Sequence, residues 1–586
     1  MSYQILGVNP GHNGSVALVR DGELIYYTEE ERLSGVKYDG NPFRGIMEVI
    51  NTYGQIDEIV TCGTHDLPKM PWNGEDAYTT LVRKYFPKVK TTALGHEHHL
   101  MHAATAFYNS GFEKAVVVVV DGAGSFKKEK IDDAGNEIEG FEAESIWICE
   151  YPAKFVMVYK AYGQNIGVRV VTPQFDFDNA VNITKAYEAV SHYLGFGFIE
   201  AGKTMGLSSY GKHSDEIPNL FIGNRGSKDL FVPHYPAGSF IDVNRFPQFS
   251  QKQDPRAWHR DPSKLSDIEK NLAWQIQHDS QQKVAGLIDQ AMKMSGINQV
   301  AMAGGYGLNC VANYYYKKVL PNIELYSEPI SHDGGTAIGA AKFVWHTNDQ
   351  DTTIRPQTSI YLGKQYPNEE LQRVLDDNSD KIALSLMTPK KIAKLIADKN
   401  IVAIFQGGAE AGPRALGNRS ILYDPRDPDG KDMVNLVKGR EWFRPFAGTV
   451  LEECADDWFD MAGGTSPWMM YAVNVVVDKV KLIPAVTHVD ETCRVQTVNK
   501  EQNKHYYGLI SEFNKLTGVP VLFNTSFNLA GRPLVETLQD ALDTLYASKM
   551  KYIWLPELKM LITKTIEDPS ACNGQCETCE DCHGTV

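Results

Sequence analysis

The segment that most restricts the fold is Ala115 to Val120, AVVVVV, which runs directly into Asp121-Gly122-Ala123-Gly124. An unbroken β-branched run suits a strand buried on both faces, as in a sheet covered by helices on each side. A glycine turn at the carboxyl end of such a strand is where open α/β sheets build their ligand crevices. The pattern recurs along the first half of the chain. Gln4 to Asn9 reads as a strand ending near Gly11-His12-Asn13-Gly14-Ser15. Gln299 to Ala303 reads as another, ending in Gly304-Gly305-Tyr306-Gly307-Leu308-Asn309. Ser15 to Arg20 and Glu23 to Thr28, joined by Asp21-Gly22, form a hairpin signal. A long helix is expected over Asp267 to Met294, with Ser266 and Glu269 as a capping box and Ile268, Leu272, Ile276, Val284, Leu287 and Ala291 on one face. Asp333-Gly334-Gly335 opens an Ala/Gly-rich helix.

At 586 residues the chain has room for two to four domains of roughly 150 residues. Periodicity fails in the polar stretch between His346 and Thr358, which places a boundary there. Residues 1–350 then form one unit. Residues 358–566 form a second, with strands at Val402 to Gln406, Tyr471 to Val477 and Val519 to Phe523 and a helix at Leu538 to Ser548. Residues 567–586 form a tail in which Cys572, Cys576, Cys579 and Cys582 have the close spacing of a zinc or iron–sulfur site. No run reaches the ~20 apolar residues of a membrane helix. The amino terminus lacks a secretory pattern and most of the nine cysteines stand alone, so a cytoplasmic location and no membrane partner are expected. A net charge of −15 argues against a general nucleic-acid binder, without excluding one basic groove.

Three clusters carry chemistry. In Gly95-His96-Glu97-His98-His99-Leu100-Met101-His102, His98 and His102 are four apart, one turn apart on one helix face, which suits two ligands of one metal. Asp121 and Asp333, each at a glycine turn, are candidate carboxylate partners. The glycine turns with Gly122, Gly304, Gly305 and Asn309 let backbone amides approach a phosphate. Third, Gly412 to Ser420 and Lys438 to Phe446 carry Arg414, Arg419, Lys438, Arg440 and Arg444 among Gly, Pro and aromatics, with Arg494 and the turn Asn524 to Asn528 as further polar contacts. In an acidic chain this cluster is expected to receive an anionic small molecule.

Eleven ordered motifs give these features a family resemblance. In the first half they are GHNGS (Gly11), EEER (Glu29), HHLMHAATAFY (His98), VVDGAG (Val119), EAGKTMGLSSYG (Glu200), GGYGLNCVAN (Gly304) and DGGTAIGAA (Asp333). In the second half they are GPRALGNRSIL (Gly412), KGREWFRPFAGTVL (Lys438), IPAVTHVDETCRVQTV (Ile483) and VLFNTSFNLAGRPLV (Val521). The chain resembles the NodU-type O-carbamoyltransferases. The resemblance implies an α/β architecture: an actin-like, ribonuclease-H-like first domain followed by a YrdC-like domain. It implies that carbamoyl phosphate and Mg²⁺-ATP give carbamoyl-AMP in the second domain, and that the first passes the carbamoyl group to an acceptor hydroxyl. Lys438, with Arg414, Arg440, Arg444 and Arg494, would face phosphates, and Ser526 and Asn528 match the family's SxN turn. His98, His102 and Asp333 match its metal ligands, with Asp121 beside them, for Fe²⁺ or, by donor type, Zn²⁺ or Mn²⁺. His12 matches a histidine near that metal and is the expected general base.

The acceptor is a hydroxyl-bearing small molecule by default. Hydroxymethylpyrimidine DNA is the second candidate, because Arg245, Lys252, Arg256, Arg260 and Lys264 alternate with Phe246, Phe249 and Trp258 in a segment outside the shared motifs. A homodimer is an admissible assembly. The alternative readings are a tRNA threonylcarbamoyl transferase fused to its adenylate synthase, and a non-enzymatic actin-like ATPase scaffold.

Overall fold

The computed structural model describes residues 2–130, 135–164, 170–171, 175–178, 180–197, 199–223, 225–227, 229–234, 238–252 and 265–566. Arg256, Trp258, Arg260, Lys264 and the four tail cysteines lie outside the described residues.

Two sheets organise the first half, and their five-strand cores share one topology. The first has the order Glu23–Glu29, Ser15–Arg20, Gln4–Asn9, Glu58–Cys62, Lys90–Leu94. Its first three strands are antiparallel neighbours, and the last two run parallel to Gln4–Asn9. In the second, Lys154–Gly163, Glu137–Glu150, Lys114–Val120, Gln299–Ala303 and Glu324–Ser327 repeat that order and those directions. This duplicated 3-2-1-4-5 arrangement is the one expected of an actin-like domain. The hairpin turns where the Asp-Gly signal places it, with Asp21 and Gly22 both at positive φ (49° and 84°).

The valine strand is buried on both faces. Val116, Val118 and Val120 pack with Ile183, Leu272, Ile276 and Val284. Val117 and Val119 pack on the other side with Ala103, Ala106 and Phe107 of the helix His98–Ser110. Each buried valine contributes roughly 1.5–3 kcal/mol, so this strand is a rigid base for the turn that follows it. The long helix spans Asp267–Ser295 and carries the expected capping box; Ile268 is only half-buried at its edge. Gly304 has φ +81°, and a Cβ there would lie 2.4 Å from Val120 O, so the third glycine turn packs directly against the end of the valine strand.

The second half is built on one mixed nine-stranded sheet. Its order is Ile382–Leu386, Met560–Lys564, Tyr552–Leu555, Val402–Phe405, Arg419–Tyr423, Val521–Ser526, Ala447–Leu451, Thr492–Val498, Tyr471–Asn474. The preceding helix continues to Asp349, past the start of the expected boundary. One hydrophobic core runs across the two halves, joining Ala17, Val60, Met101 and Ala337 to Ile392, Val402, Leu416 and Val521. Hydrogen bonds from Arg414 Nη2 to Leu308 O (3.1 Å) and from Asn313 Nδ2 to Met470 O (3.2 Å), with the Lys318–Asp460 ion pair (2.6 Å), hold the halves together.

The basic-aromatic segment does not present its described aromatics as base-stacking platforms. Phe249 is fully buried against Tyr193, Phe246 packs on the same core, and Arg245 pairs with Asp229 at 2.9 Å. Phe246 and Phe249 therefore belong to a core, whereas the Arg245–Asp229 pair is exposed, and the other basic and aromatic side chains of this segment lie outside the described residues. Among the described residues no helix is long and apolar enough to cross a membrane.

Candidate active site

The helix His98–Ser110 starts against a polar wall that fixes its first turn. Ser125 Oγ accepts from His98 N (3.3 Å), and Glu142 Oε2 accepts from His99 N (3.4 Å) and Ser125 N (3.0 Å). Lys160 holds Glu142 through a 2.6 Å ion pair between two buried groups. His96 precedes the helix, and the three histidines within it divide by helix periodicity. His96 is half-exposed near Asp66, and His99 Nδ1 bonds Ser145 Oγ at 2.8 Å. His98 and His102 share the opposite face, with their Nε2 atoms 3.1 Å apart.

Asp121 and Asp333 converge on that pair. His98 Nε2 lies 3.4 Å from Asp121 Oδ2 and 3.7 Å from Asp333 Oδ1, and His102 Nε2 lies 3.7 Å from the same Asp333 oxygen. Gly305 N donates to Asp121 Oδ1 at 3.1 Å. Ser15 Oγ donates to Gly334 O (2.7 Å) and Thr105 Oγ1 to Gly335 O (2.8 Å), so the Asp333 turn is gripped by a strand and by the histidine helix. The donor atoms of all four side chains lie within 4.8 Å of one another. Burial disfavours a charged His98, but Asp333 and Asp121 outweigh it and raise the imidazole to about 10. Burial also opposes ionisation of Asp333, yet the facing histidines hold it well below the usual carboxylate range. Two imidazole nitrogens and two carboxylates, buried and convergent, are a donor set that a divalent first-row metal fits. His12 Nδ1 lies 3.6 Å from Asp333 Oδ2, and its side chain is 52% exposed.

This group lines one wall of a cavity of about 600 Å³, which Gly122, Gly305, Lys185 and Glu188 also border. A Cβ at Gly122 would lie 2.9 Å from Glu188 Oε1, the end of a side chain able to shift. Lys185 and Glu188 pair at 2.7 Å from one turn of the helix Ile183–Tyr193. Gly304 and Asn309 do other work. Gly304 is a packing position, and Asn309 caps the next helix, accepting from Ala312 N at 3.1 Å and donating to Gln277 at 2.9 Å.

A second cavity, about 340 Å³, collects Arg414, Lys438, Arg440, Arg444, Arg494, Ser526 and Asn528. Lys438 Nζ donates to Ser526 O, to Asn528 O (2.9 Å) and to Asn528 Oδ1 (2.9 Å), and lies 3.3 Å from Ser526 Oγ. Burial, then Arg440 and Arg444, push its ammonium well below the usual lysine range. Burial and Arg414 bring Arg494 down to about 9. Mutually repelling, desolvated cations of this kind are stabilised by an anion. Arg419 is a correction: its guanidinium donates to the carbonyls of Gln406 (2.6 Å), Gly407 (3.1 Å) and Glu536 (3.2 Å) and covers Phe405, so it fastens the fold and does not line the cavity. The two cavities adjoin. Lys37, Tyr38, Pro413, Ser526 and Asn528 border both. Sequence reasoning passed over Lys37, Lys185, Glu188 and Lys203, the last of which joins Glu200 and Glu441 (2.7 Å each) at the rim.

The family model for the carbamoyltransferase N-terminus matches residues 68–342, and that for the carbamoyltransferase C-terminus matches residues 393–564. Nodulation protein NolNO of Sinorhizobium fredii (strain NBRC 101917 / NGR234) is 29% identical, over 91% of this chain and 76% of its own. Nodulation protein NolO of Bradyrhizobium diazoefficiens is 30% identical, over 76% of this chain and 75% of its own. A crystal structure of full-length HypF in the phosphate- and nucleotide-bound form superposes with a TM-score of 0.33 at 15% identity; the match covers 59% of this chain and 46% of that one. The chain belongs to the NodU-type carbamoyltransferase family and is a carbamoyltransferase.

Proposed function

We propose that the chain is a two-cavity O-carbamoyltransferase working through carbamoyl-AMP, with residues 1–350 as the transfer unit and 358–566 as a YrdC-like adenylating unit. The observation that carries this reading is the shared wall: a cationic cavity adjoins one lined by a buried His/Asp cluster with the donor set of a metal site. In the cationic cavity, carbamoyl phosphate loses phosphate to water. The resulting carbamate oxygen attacks the α-phosphorus of Mg²⁺-ATP, and pyrophosphate leaves. Lys438, Arg440, Arg444 and Arg494 hold the phosphates, and Ser526 and Asn528 orient Lys438. The adenylate then moves to the adjoining cavity without meeting bulk water, where a mixed anhydride of this kind decays.

His98, His102, Asp121 and Asp333 would hold the metal, Fe²⁺ by family or Zn²⁺ or Mn²⁺ by donor type. When bound, it supplies Lewis acidity toward carbamoyl or phosphate oxygens. His12, half-exposed at the cavity mouth, takes the proton from the acceptor hydroxyl, whose oxygen attacks the carbamoyl carbon while AMP departs. The acceptor is a hydroxyl-bearing small molecule. The test is incubation with ¹³C-carbamoyl phosphate, ATP and Mg²⁺ against a panel of hydroxylated natural products and hydroxymethylpyrimidine DNA. Label joined to a hydroxyl oxygen of one small molecule is the expected result. Label found only in the DNA would overturn the acceptor class, and label delivered only from bicarbonate with threonine would overturn the reaction.

A further inference from the structure

Residues 440–446, between the helix Gly430–Lys438 and the strand Ala447–Leu451, form no helix or strand of their own, yet they present Arg440 and Arg444 to the cationic cavity. A loop aims long side chains accurately only where other groups hold its backbone. Within the second half that hold is slight: Arg440 N donates to Asn435 O and Arg444 N to Glu441 O, each at 3.1 Å. The stretch between the two arginines leans on the first half. Phe443 is fully buried in the first-half core that contains Ile183, Tyr187 and Leu207, with its ring centroid 5.8 Å from that of Phe196. Trp442 meets Tyr210 edge-on at 4.8 Å, and Tyr210 OH accepts from Lys431 at 2.8 Å.

The helix Ala201–Ser208 makes the polar part of this contact. A Cβ at Gly206 would lie 3.0 Å from Pro445 Cδ, so helix and loop already touch closely there. In the first turn, Lys203 Nζ bridges Glu200 Oε1 and Glu441 Oε1 at 2.7 Å each. Glu200 is itself fixed, since its Oε2 accepts from Gly197 N at 2.9 Å. Glu441 turns its other oxygen toward Arg444 Nη1, 3.6 Å away. Burial opposes ionisation of Glu441, but Lys203 and Arg444 hold its carboxyl below the usual range. The side chains of Lys203 and Glu441 are 19% and 18% exposed, so solvent screens their pair far less than it screens a surface pair. A chain of charges thus runs from a helix of the first half to a guanidinium of the second cavity.

We propose that Lys203, acting through Glu441, is a positioning residue for adenylation: it holds residues 440–446 so that Arg440 and Arg444 meet the ATP phosphates, and the transfer half thereby completes the adenylating cavity. This role rests on the reading of the cationic cavity as the adenylating one. It goes beyond that reading by making a side chain of residues 1–350 necessary to a step assigned to residues 358–566. Lys203 is spent on two carboxylates and touches no substrate in this role; its ammonium fixes where the arginines stand.

The test is initial-rate pyrophosphate release by the full chain, with carbamoyl phosphate and varied Mg²⁺-ATP, for the wild type, Lys203→Met, Glu441→Gln and the double variant. Each single variant is expected to raise KM for ATP about tenfold, the loss of one charge-assisted contact, with kcat within about threefold of wild type. A role in stability alone would lower kcat with the folded fraction and leave KM unchanged, and that result overturns the proposal. The double variant is expected to match Glu441→Gln within about twofold, because both changes break one bridge. A rise of about a hundredfold, the product of two independent losses, overturns it. Lys203→Arg keeps the charge and is expected to bring KM back to within about threefold of wild type. Should Lys203→Met unfold, Glu441→Gln carries the test, since Glu200 still holds Lys203 there. An unchanged KM in the folded single variants overturns the positioning role and leaves the two-cavity reading intact. Absence of pyrophosphate release with the wild-type chain removes the adenylation reading and this role together.

Discussion

Replacing Lys438 with alanine tests the adenylation half most sharply. The Lys438 ammonium sits among four oxygen atoms of Ser526 and Asn528 and is displaced from its usual titration by burial and by Arg440 and Arg444. All four oxygens belong to neutral groups, so the protein holds and aims the ammonium there without a carboxylate to offset its charge, and a phosphate that develops charge as pyrophosphate leaves would offset it. Removing one such preorganised contact costs about 3–4 kcal/mol of transition-state stabilisation, or on the order of 10²–10³ in rate. The assay is initial-rate carbamoyl-AMP and pyrophosphate formation from carbamoyl phosphate and ATP. Lys438→Met, which keeps the length of the side chain, separates charge from packing and is expected to fall as far as Lys438→Ala. A Lys438→Ala rate within about threefold of wild type, in a folded protein, would refute the reasoning, since so small a change is under 1 kcal/mol.

Three further outcomes follow from the geometry. His102→Ala removes one of four convergent donors and is expected to lower metal content by at least about tenfold on purification and in titration, read by elemental analysis. Gly304→Ala places a Cβ against Val120 O in a left-handed backbone, and the unfolding midpoint should drop by an amount equivalent to roughly 2–4 kcal/mol. Glu328 is fully buried, accepts from Ile330 N (2.9 Å), Asn109 Nδ2 (3.1 Å) and Tyr326 OH (3.2 Å), and is pushed up by burial from 4.5 to about 7. A raised folded value means that the folded chain holds the extra proton, so the contribution is complete below pH 4.5 and is lost as pH rises through about 7. That difference corresponds to at most roughly 3 kcal/mol, and Glu328→Gln should flatten the thermal-stability profile over this window.

Much of the frame was legible in local sequence because local physics determined it. The Asp21-Gly22 turn, the doubly buried valine strand and the Ser266–Glu269 capping box depend on residues close in the chain. The histidine pair was legible for the same reason, since helix periodicity alone puts His98 and His102 on one face. Arg419 was misread because its composition and neighbours match those of the phosphate-facing arginines, and only the tertiary structure turns its guanidinium onto three carbonyls. Asn309 was misread because a glycine-rich turn and a helix cap use the same residue types. The environment of the Glu29 to Arg32 run had no local signal: Glu30 is met by Arg44 N and Gly45 N, Glu31 by Lys37, and Arg32 by Gly412 O of the second half. Lys37, Lys185 and Glu188 had no local signal of any kind, because each gains meaning only from the cavity around it.

The central claim is that one chain makes carbamoyl-AMP from carbamoyl phosphate and ATP before any acceptor is present. The direct measurement is mass spectrometry of the wild-type protein incubated with ¹³C-carbamoyl phosphate, ATP and Mg²⁺ alone. The account predicts labelled carbamoyl-AMP together with one phosphate and one pyrophosphate per adenylate formed. Pyrophosphate release that depends on bicarbonate and threonine instead, with no label in the adenylate, would contradict it.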